Sequence, residues 1–228
     1  MLRYHNFHFL YPLFYIIFVN YLTKIKPCPN NSLMIKYRKY HNIFLSVLSL
    51  YMLIGIIYEG YISNKYNSLY SLCCTKFNEN KNINFFVKLF LYSKYLEWGD
   101  TLFIHLSNKP ITNLQYTHHL TTGFLVYCNF IDFINPNLYV PYSLNCLVHV
   151  FMYWYFAFPK GFLGKYKSFI TKSQILQHII VLFSIIYSQL NKNCNVNNIG
   201  NIVGFILYSM YLIYFILFYS KNYIKNKI

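Results

Sequence analysis

Apolar runs long enough to cross a lipid bilayer recur seven times along this chain, at roughly 7–23, 43–62, 84–106, 112–134, 137–159, 168–190 and 201–220. A helix rising 1.5 Å per residue needs about 20 residues to cross the hydrocarbon. Within lipid each backbone N–H and C=O must find its partner inside the protein, which an α-helix provides residue by residue. The pattern therefore predicts an all-α polytopic membrane protein of about seven transmembrane helices, forming a single integral-membrane domain over residues 1–228. Only 11% of the residues are charged and 56% are hydrophobic, whereas soluble domains carry roughly 25% charge. The first run is the weakest, because Pro12 and Asn20 interrupt it, and it lacks the small-residue cleavage site of a secretory leader. The Asn- and Lys-rich segments 63–82 and 191–200 read as loops, and no internal repeat is visible.

A formal charge of +15 raises the question of a nucleic-acid partner. The basic residues lie between apolar runs rather than along one face, and no nucleic-acid module is present, so no nucleic acid is expected. Their distribution instead reads as membrane topology. Twelve lie on one side of the spans (Lys24, Lys26, Lys36, Arg38, Lys39, Lys109, Lys160, Lys165, Lys167, Lys221, Lys225, Lys227) and five on the other (Arg3, Lys65, Lys76, Lys81, Lys192). The positive-inside rule then places the C-terminus in the cytosol and the N-terminus in the lumen. Six cysteines form no C-x-x-C and no zinc spacing, so no metal is expected. Cys73, Cys74 and Cys194 fall on the lumenal side, where they can meet, although reduced thiols are the expectation.

Charges within the spans are few and clustered. Lys94, Glu97 and Thr101 share one helical face of the third run, with Asp100 beside them. A charge at mid-span costs on the order of 2.5–3.5 kcal/mol, so such groups face a partner or a cavity. Taken alone, the cluster also reads as a buried ion pair fixing helix packing, the lesser of the two readings. The next three runs add polar stripes of their own: His118, His119 and Thr122; then Asn145, His149, Met152 and Tyr153; then Thr171, Gln174, Gln177 and His178. By helical rise, Asp100, His118 and Gln174 all lie about 9 Å from the same membrane face, and His149 about 15 Å. The spans alternate in direction, so this agreement predicts one polar chamber open toward the cytosol.

These residues carry a resemblance. Lys94, Glu97, Asp100 and Thr101 match K-x-x-E-x-x-D-T; Asn145 to Phe156 match N-x-x-V-H-x-x-M-Y-x-Y-Y, with Phe156 at the last tyrosine; Thr171, Gln174 and Gln177 match T-x-x-Q-x-x-Q. In this the chain resembles the very-long-chain fatty acid elongases, the membrane 3-ketoacyl-CoA synthases of the ELO type. One position departs: Gln115 stands where the histidine box H-x-x-H-H has its first histidine, leaving His118 and His119. Gln can donate and accept hydrogen bonds but cannot act as a nucleophile, so it fits a residue that orients its neighbours.

The resemblance implies condensation of a long-chain acyl-CoA with malonyl-CoA, releasing carbon dioxide and CoA, with no cofactor beyond these substrates. It also implies residence in the endoplasmic reticulum membrane, among lipid, with the ketoacyl reductase, dehydratase and enoyl reductase of the cycle as partners. His118 is the candidate acyl acceptor through an acyl-imidazole, and His149 its proton-transfer partner or contact for the malonyl carboxylate. Asn145, Gln174 and Gln177 offer amides to a developing oxyanion. His119, Gln115, Tyr153, Thr171, Lys94, Glu97 and Asp100 complete the chamber, and Lys109, Lys160, Lys165 and Lys167 are candidate CoA phosphate contacts. Two other classes are weighed. A di-iron lipid desaturase needs more histidines than the chain offers, and a transporter more often shows repeated halves or broken helices.

Overall fold

The computed structural model describes residues 6–78, 81–131 and 133–224. Arg3, Lys225 and Lys227, which enter the charge count above, lie outside the described residues, as do both ends of the predicted domain. The described chain is all-helical. Its α-helices are α1 (Tyr11–Leu22), α2 (Ser32–Ile62), α3 (Leu69–Cys74), α4 (Lys81–Leu96), α5 (Trp98–Leu106), α6 (Asn113–Cys128), α7 (Tyr139–Ala157), α8 (Lys167–Leu190) and α9 (Asn198–Tyr219). Three helical stretches, Ser32–Ile62, Phe162–Leu190 and Asn198–Ile224, are long and apolar enough to cross a membrane.

Local chemistry sets the ends of these helices. Asn31 caps α2 by accepting from the Met34 amide at 3.1 Å, Thr112 caps α6 through the Gln115 amide at 3.2 Å, and Asn197 caps α9 through the Gly200 amide at 2.9 Å. Helix α5 stops where Asn108 turns left-handed at φ 53°. There the Asn108 amide bonds the His105 carbonyl and the Lys109 amide bonds the Ile104 carbonyl, which closes a Schellman turn before Pro110. Pro12 does not break the first apolar run. It occupies the opening turn of α1, where a missing N–H costs nothing.

Helices α2, α7, α8, α9, α6 and α4 pack each on the next, and α4 returns to α2, so the six close a ring. Helix α1 stands outside it against α5 and α6. Lipid is as apolar as leucine, so a ring of this kind is held by close packing and polar contacts rather than by expulsion of water. Part of the interior is filled by a cluster that includes Met52, Ile56, Val87, Phe90, Val126, Tyr139 and Tyr142. The outer faces carry exposed Phe44, Val47, Ile54, Phe183, Ile206 and Ile213, as a lipid-facing surface requires.

The end of the ring beyond this cluster is locked by polar bonds and one covalent bond. Cys74 and Cys194 form a disulfide, which corrects the expectation of reduced thiols; Cys73 beside them stays free and buried. Asn135 donates to Asn129 and Asn201, at 3.0 Å each, tying the loop after α6 to the start of α9. Lys65 is fully buried, donates to the Thr75 and Pro136 carbonyls, and lies 4.5 Å from the centre of the Phe77 ring. Burial pushes its ammonium down to about 7, and the neighbouring Cys73 opposes the shift.

Candidate active site

The unfilled part of the ring is a cavity of about 520 Å³. Its wall is built from α2 (Asn42), the α4–α5 junction (Glu97, Asp100), α6 (Gln115, His118, His119), α7 (Asn145, His149, Tyr153) and α8 (Thr171, Gln174, Gln177, His178). Arg38, Lys109 and Lys167 also line it, and Phe103, Ile104, Val148, Ile170 and Phe215 make its apolar part.

The charged motif sits at a helix break. The third apolar run is not one continuous helix: α4 ends at Leu96, α5 begins at Trp98, and the Asp100 amide bonds the Glu97 carbonyl at 3.0 Å in a tighter turn. Helix α1 supports this break from outside the ring. Tyr11 donates to the Lys94 carbonyl at 3.0 Å, Trp98 Nε1 donates to the Tyr11 hydroxyl at 2.6 Å, and the Tyr15 hydroxyl meets Thr101 Oγ1 at 2.9 Å. Thr101 therefore faces α1 and not the cavity, contrary to its placement on the face of Lys94 and Glu97.

Donor and acceptor rules then assign the protons of one wall. Lys94 Nζ reaches both Glu97 Oε1 and Asn145 Oδ1 at 2.8 Å. An ammonium only donates, so the atom it meets on Asn145 is the carbonyl oxygen and the amide nitrogen points the other way. That nitrogen lies 3.1 Å from His149 Nε2 and donates to it. His149 is thus neutral at Nε2 and protonated at Nδ1, which faces Glu97 Oε1 at 3.5 Å. Lys94 reaches the reaction space only through Glu97 and Asn145. Asn145, offered above as an oxyanion contact, has its carbonyl and one N–H already committed.

The second carboxylate serves other partners. Tyr153 donates to Asp100 Oδ2 at 2.7 Å, and His119 Nε2 lies 4.0 Å from the same oxygen, within ion-pair range but beyond a hydrogen bond. His41 of α2 meets Asp100 Oδ1 at 3.1 Å. The His118 ring packs against His119 and Tyr211, with ring centres 5.3 and 5.1 Å apart. Gln115 Nε2, His119 Nδ1, Gln177 Oε1 and Glu97 Oε2 are buried atoms without a hydrogen-bond partner among the described residues. Buried polar atoms are nearly always paired, so four such atoms around one cavity mark it as a place for a polar guest.

Comparison with known proteins identifies the chain. All of residues 1–228 match the family model described as ELO: GNS1/SUR4 family. The chain belongs to this family. It is 33% identical to fatty acid elongase A of Dictyostelium discoideum over 146 residues, 64% of this chain and 53% of that protein. It is 31% identical to fatty acid elongase sre1 of the same organism over 144 residues, 61% of this chain and 53% of that protein. Against long chain fatty acid elongase 1 of Caenorhabditis elegans it is 32% identical over 173 residues, 68% of this chain and 57% of that protein. The chain spans about half the length of the curated relatives it matches.

As an ELO protein the chain is a multi-pass membrane protein. Most of the predicted chamber lines the one cavity; Lys94 stands behind it and Thr101 turns away. Of the candidate CoA lysines, Lys109 and Lys167 line the cavity while Lys160 and Lys165 do not. Sequence placed Arg38 only among the topology charges and did not single out His41 or Asn42, because the second apolar run begins at residue 43, whereas α2 begins at Ser32. A signal was present: Asn42, Ser46 and Ser49 recur at helical spacing, and all three are buried.

Proposed function

We propose that this ELO protein is a 3-ketoacyl-CoA synthase, condensing a long-chain acyl-CoA with malonyl-CoA to give 3-ketoacyl-CoA, carbon dioxide and CoA. The observation that carries the reading is the convergence of His118, a carboxylate-backed His149 and unpaired polar atoms in one cavity. The neutral imidazole of His118 attacks the thioester carbonyl, and the C–S bond breaks to leave acyl-imidazole and CoA thiolate. The proton lost from the second ring nitrogen ends on the CoA sulfur, carried by His149 Nε2 once that nitrogen gives up the Asn145 N–H, with Glu97 stabilising the imidazolium. Malonyl-CoA then loses carbon dioxide, leaving its electron pair on the α-carbon, which attacks the acyl carbon and expels the ring as imidazolate; one proton taken up from solvent restores neutral His118. Gln115, through its unpaired N–H, is the amide that meets developing negative charge or the malonyl carboxylate, while the unpaired Oε1 of Gln177 accepts from a substrate donor. Lys109 and Lys167, with Arg38, are the cations for the CoA phosphates.

Seven crossings follow if α1, α2, α4 with α5, α6, α7, α8 and α9 each span once. The disulfide supports a lumenal place for its end of the ring, because such bonds persist in oxidising compartments. The opposite end holds most of the basic residues, in keeping with a cytosolic C-terminus in the endoplasmic reticulum membrane. The reductases and dehydratase that consume the ketoacyl product are the expected partners there.

The test is incorporation of labelled malonyl-CoA by the purified full chain in detergent, offered acyl-CoAs of several lengths. Wild type should give 3-ketoacyl product, with His118→Ala and His149→Ala inactive and an acyl adduct at His118 seen by mass spectrometry. Folded wild type that makes no product from any acyl length overturns the reading.

A further inference from the structure

Asp100 is gripped from two sides. One oxygen faces Tyr153 and His119; the other, Oδ1, lies 3.1 Å from His41 Nε2. A carboxylate only accepts, so Nε2 of His41 carries the proton and donates it. The end torsion of an aspartate is soft and nearly two-fold, so a donor on Oδ1 decides the plane in which Oδ2 is presented. His41 is itself seated closely, its ring centre 5.3 Å from that of Phe103. A Cβ at Gly99 would lie 2.5 Å from His41 Cε1 and 2.8 Å from its Nε2, so any larger residue at position 99 displaces the imidazole. The glycine beside the aspartate makes room for the histidine that holds it.

We infer that His41 is a positioning residue for the proposed condensation, clamping Asp100 so that its far oxygen draws the Nε2–H of His119 and leaves His119 Nδ1 as a free lone pair facing the reaction space. The inference rests on the function proposed above. In this arrangement His119 Nδ1, buried and without a partner among the described residues, is a ready acceptor for a substrate proton. The two walls are then parallel in design. Glu97 lies 3.5 Å from Nδ1 of His149 and Asp100 4.0 Å from Nε2 of His119, where its charge rather than a hydrogen bond favours the Nε2–H form, and each carboxylate is steadied from behind, by Lys94 in one case and His41 in the other.

The test uses the full chain and three substitutions. His41→Gln keeps an N–H donor, His41→Phe keeps the ring volume without it, and Gly99→Ala leaves His41 in place but pushes its ring. His41→Phe and Gly99→Ala should lower kcat by about ten- to a hundredfold, as loss of a partner that orients a histidine does elsewhere. KM for acyl-CoA should stay within about twofold, and His41→Gln should retain turnover within about threefold of wild type. Rescue by phenylalanine instead of glutamine would show a packing role and sink the clamp. A second readout needs no turnover: the ¹⁵N shifts of His119, assigned with His119→Asn. Wild type and His41→Gln should show the Nε2–H form, and His41→Phe a mixture of tautomers. An unchanged His119 in His41→Phe overturns the clamp. The expected shifts in a wild type that makes no ketoacyl product would uphold the clamp and defeat only the proposed reaction.

Discussion

Lys94 and Glu97 are each 2% exposed and 2.8 Å apart, and between them they determine the proton arrangement of His149. Burying a charge pair is expensive, and removing one member is worse than removing both, because the survivor is left uncompensated. Lys94→Met should therefore destabilise the protein by roughly 3–5 kcal/mol, while Lys94→Met with Glu97→Gln should recover most of that loss. Thermal unfolding of the detergent-solubilised single and double variants measures the difference. Equal losses in both would mean that the pair is solvated in the working protein. Both residues were legible in sequence as charges within an apolar run. Their division of labour was not, since it depends on which atom of Asn145 faces the lysine. At Gln115 sequence showed only a missing imidazole, whereas the structure puts its amide nitrogen unpaired at the cavity wall.

At the scale of elements, the weakest run in the sequence proves to be a buttress. Helix α1 brings fully buried Tyr11 and Tyr15 to the break between α4 and α5, and the Tyr11 ring lies directly over Gly123 of α6. A Cβ at position 123 would stand 2.2 Å from that ring. Gly123→Ala should thus push α1 outward at about 1–3 kcal/mol. It should also impair condensation by releasing the Lys94 carbonyl and Trp98, although position 123 bears no chemistry. A melting temperature and turnover equal to wild type would show that α1 does not brace the site. The start of α2 was misread for a physical reason: hydropathy finds the part of a helix that lies in lipid, and this helix begins eleven residues earlier, at Ser32, among basic residues. That error hid His41. The kink at Glu97 was hidden likewise, because apolar periodicity continues straight through it.

For the molecule as a whole, the Cys74–Cys194 bond ties the end of α3 to the loop between α8 and α9 across a sequence separation of 120 residues. A cross-link of that span stabilises by up to about 5 kcal/mol when the unfolded chain is free in solution, and by less when its helices remain inserted in lipid. Cys194→Ser should lower the melting temperature, and a reducing agent should lower that of wild type but not of the variant. Oxidised wild type should also migrate faster than reduced on a denaturing gel. Identical mobility would mean that the bond does not form.

Sequence alone determined the class of fold, because long apolar runs in lipid leave the backbone little choice but helix. It also determined that polar groups on four of those runs lie at similar depth, because helical rise is constant. Tertiary structure decided the rest: which face of each helix turns inward, that α1 stands outside the ring, that Thr101 leaves the cavity while His41 comes within reach of Asp100, and that two cysteines are joined. Each of these depends on the rotation of one helix against another, set by contacts such as His41 on Gly99 and Tyr11 on Gly123, which a hydropathy pattern does not contain.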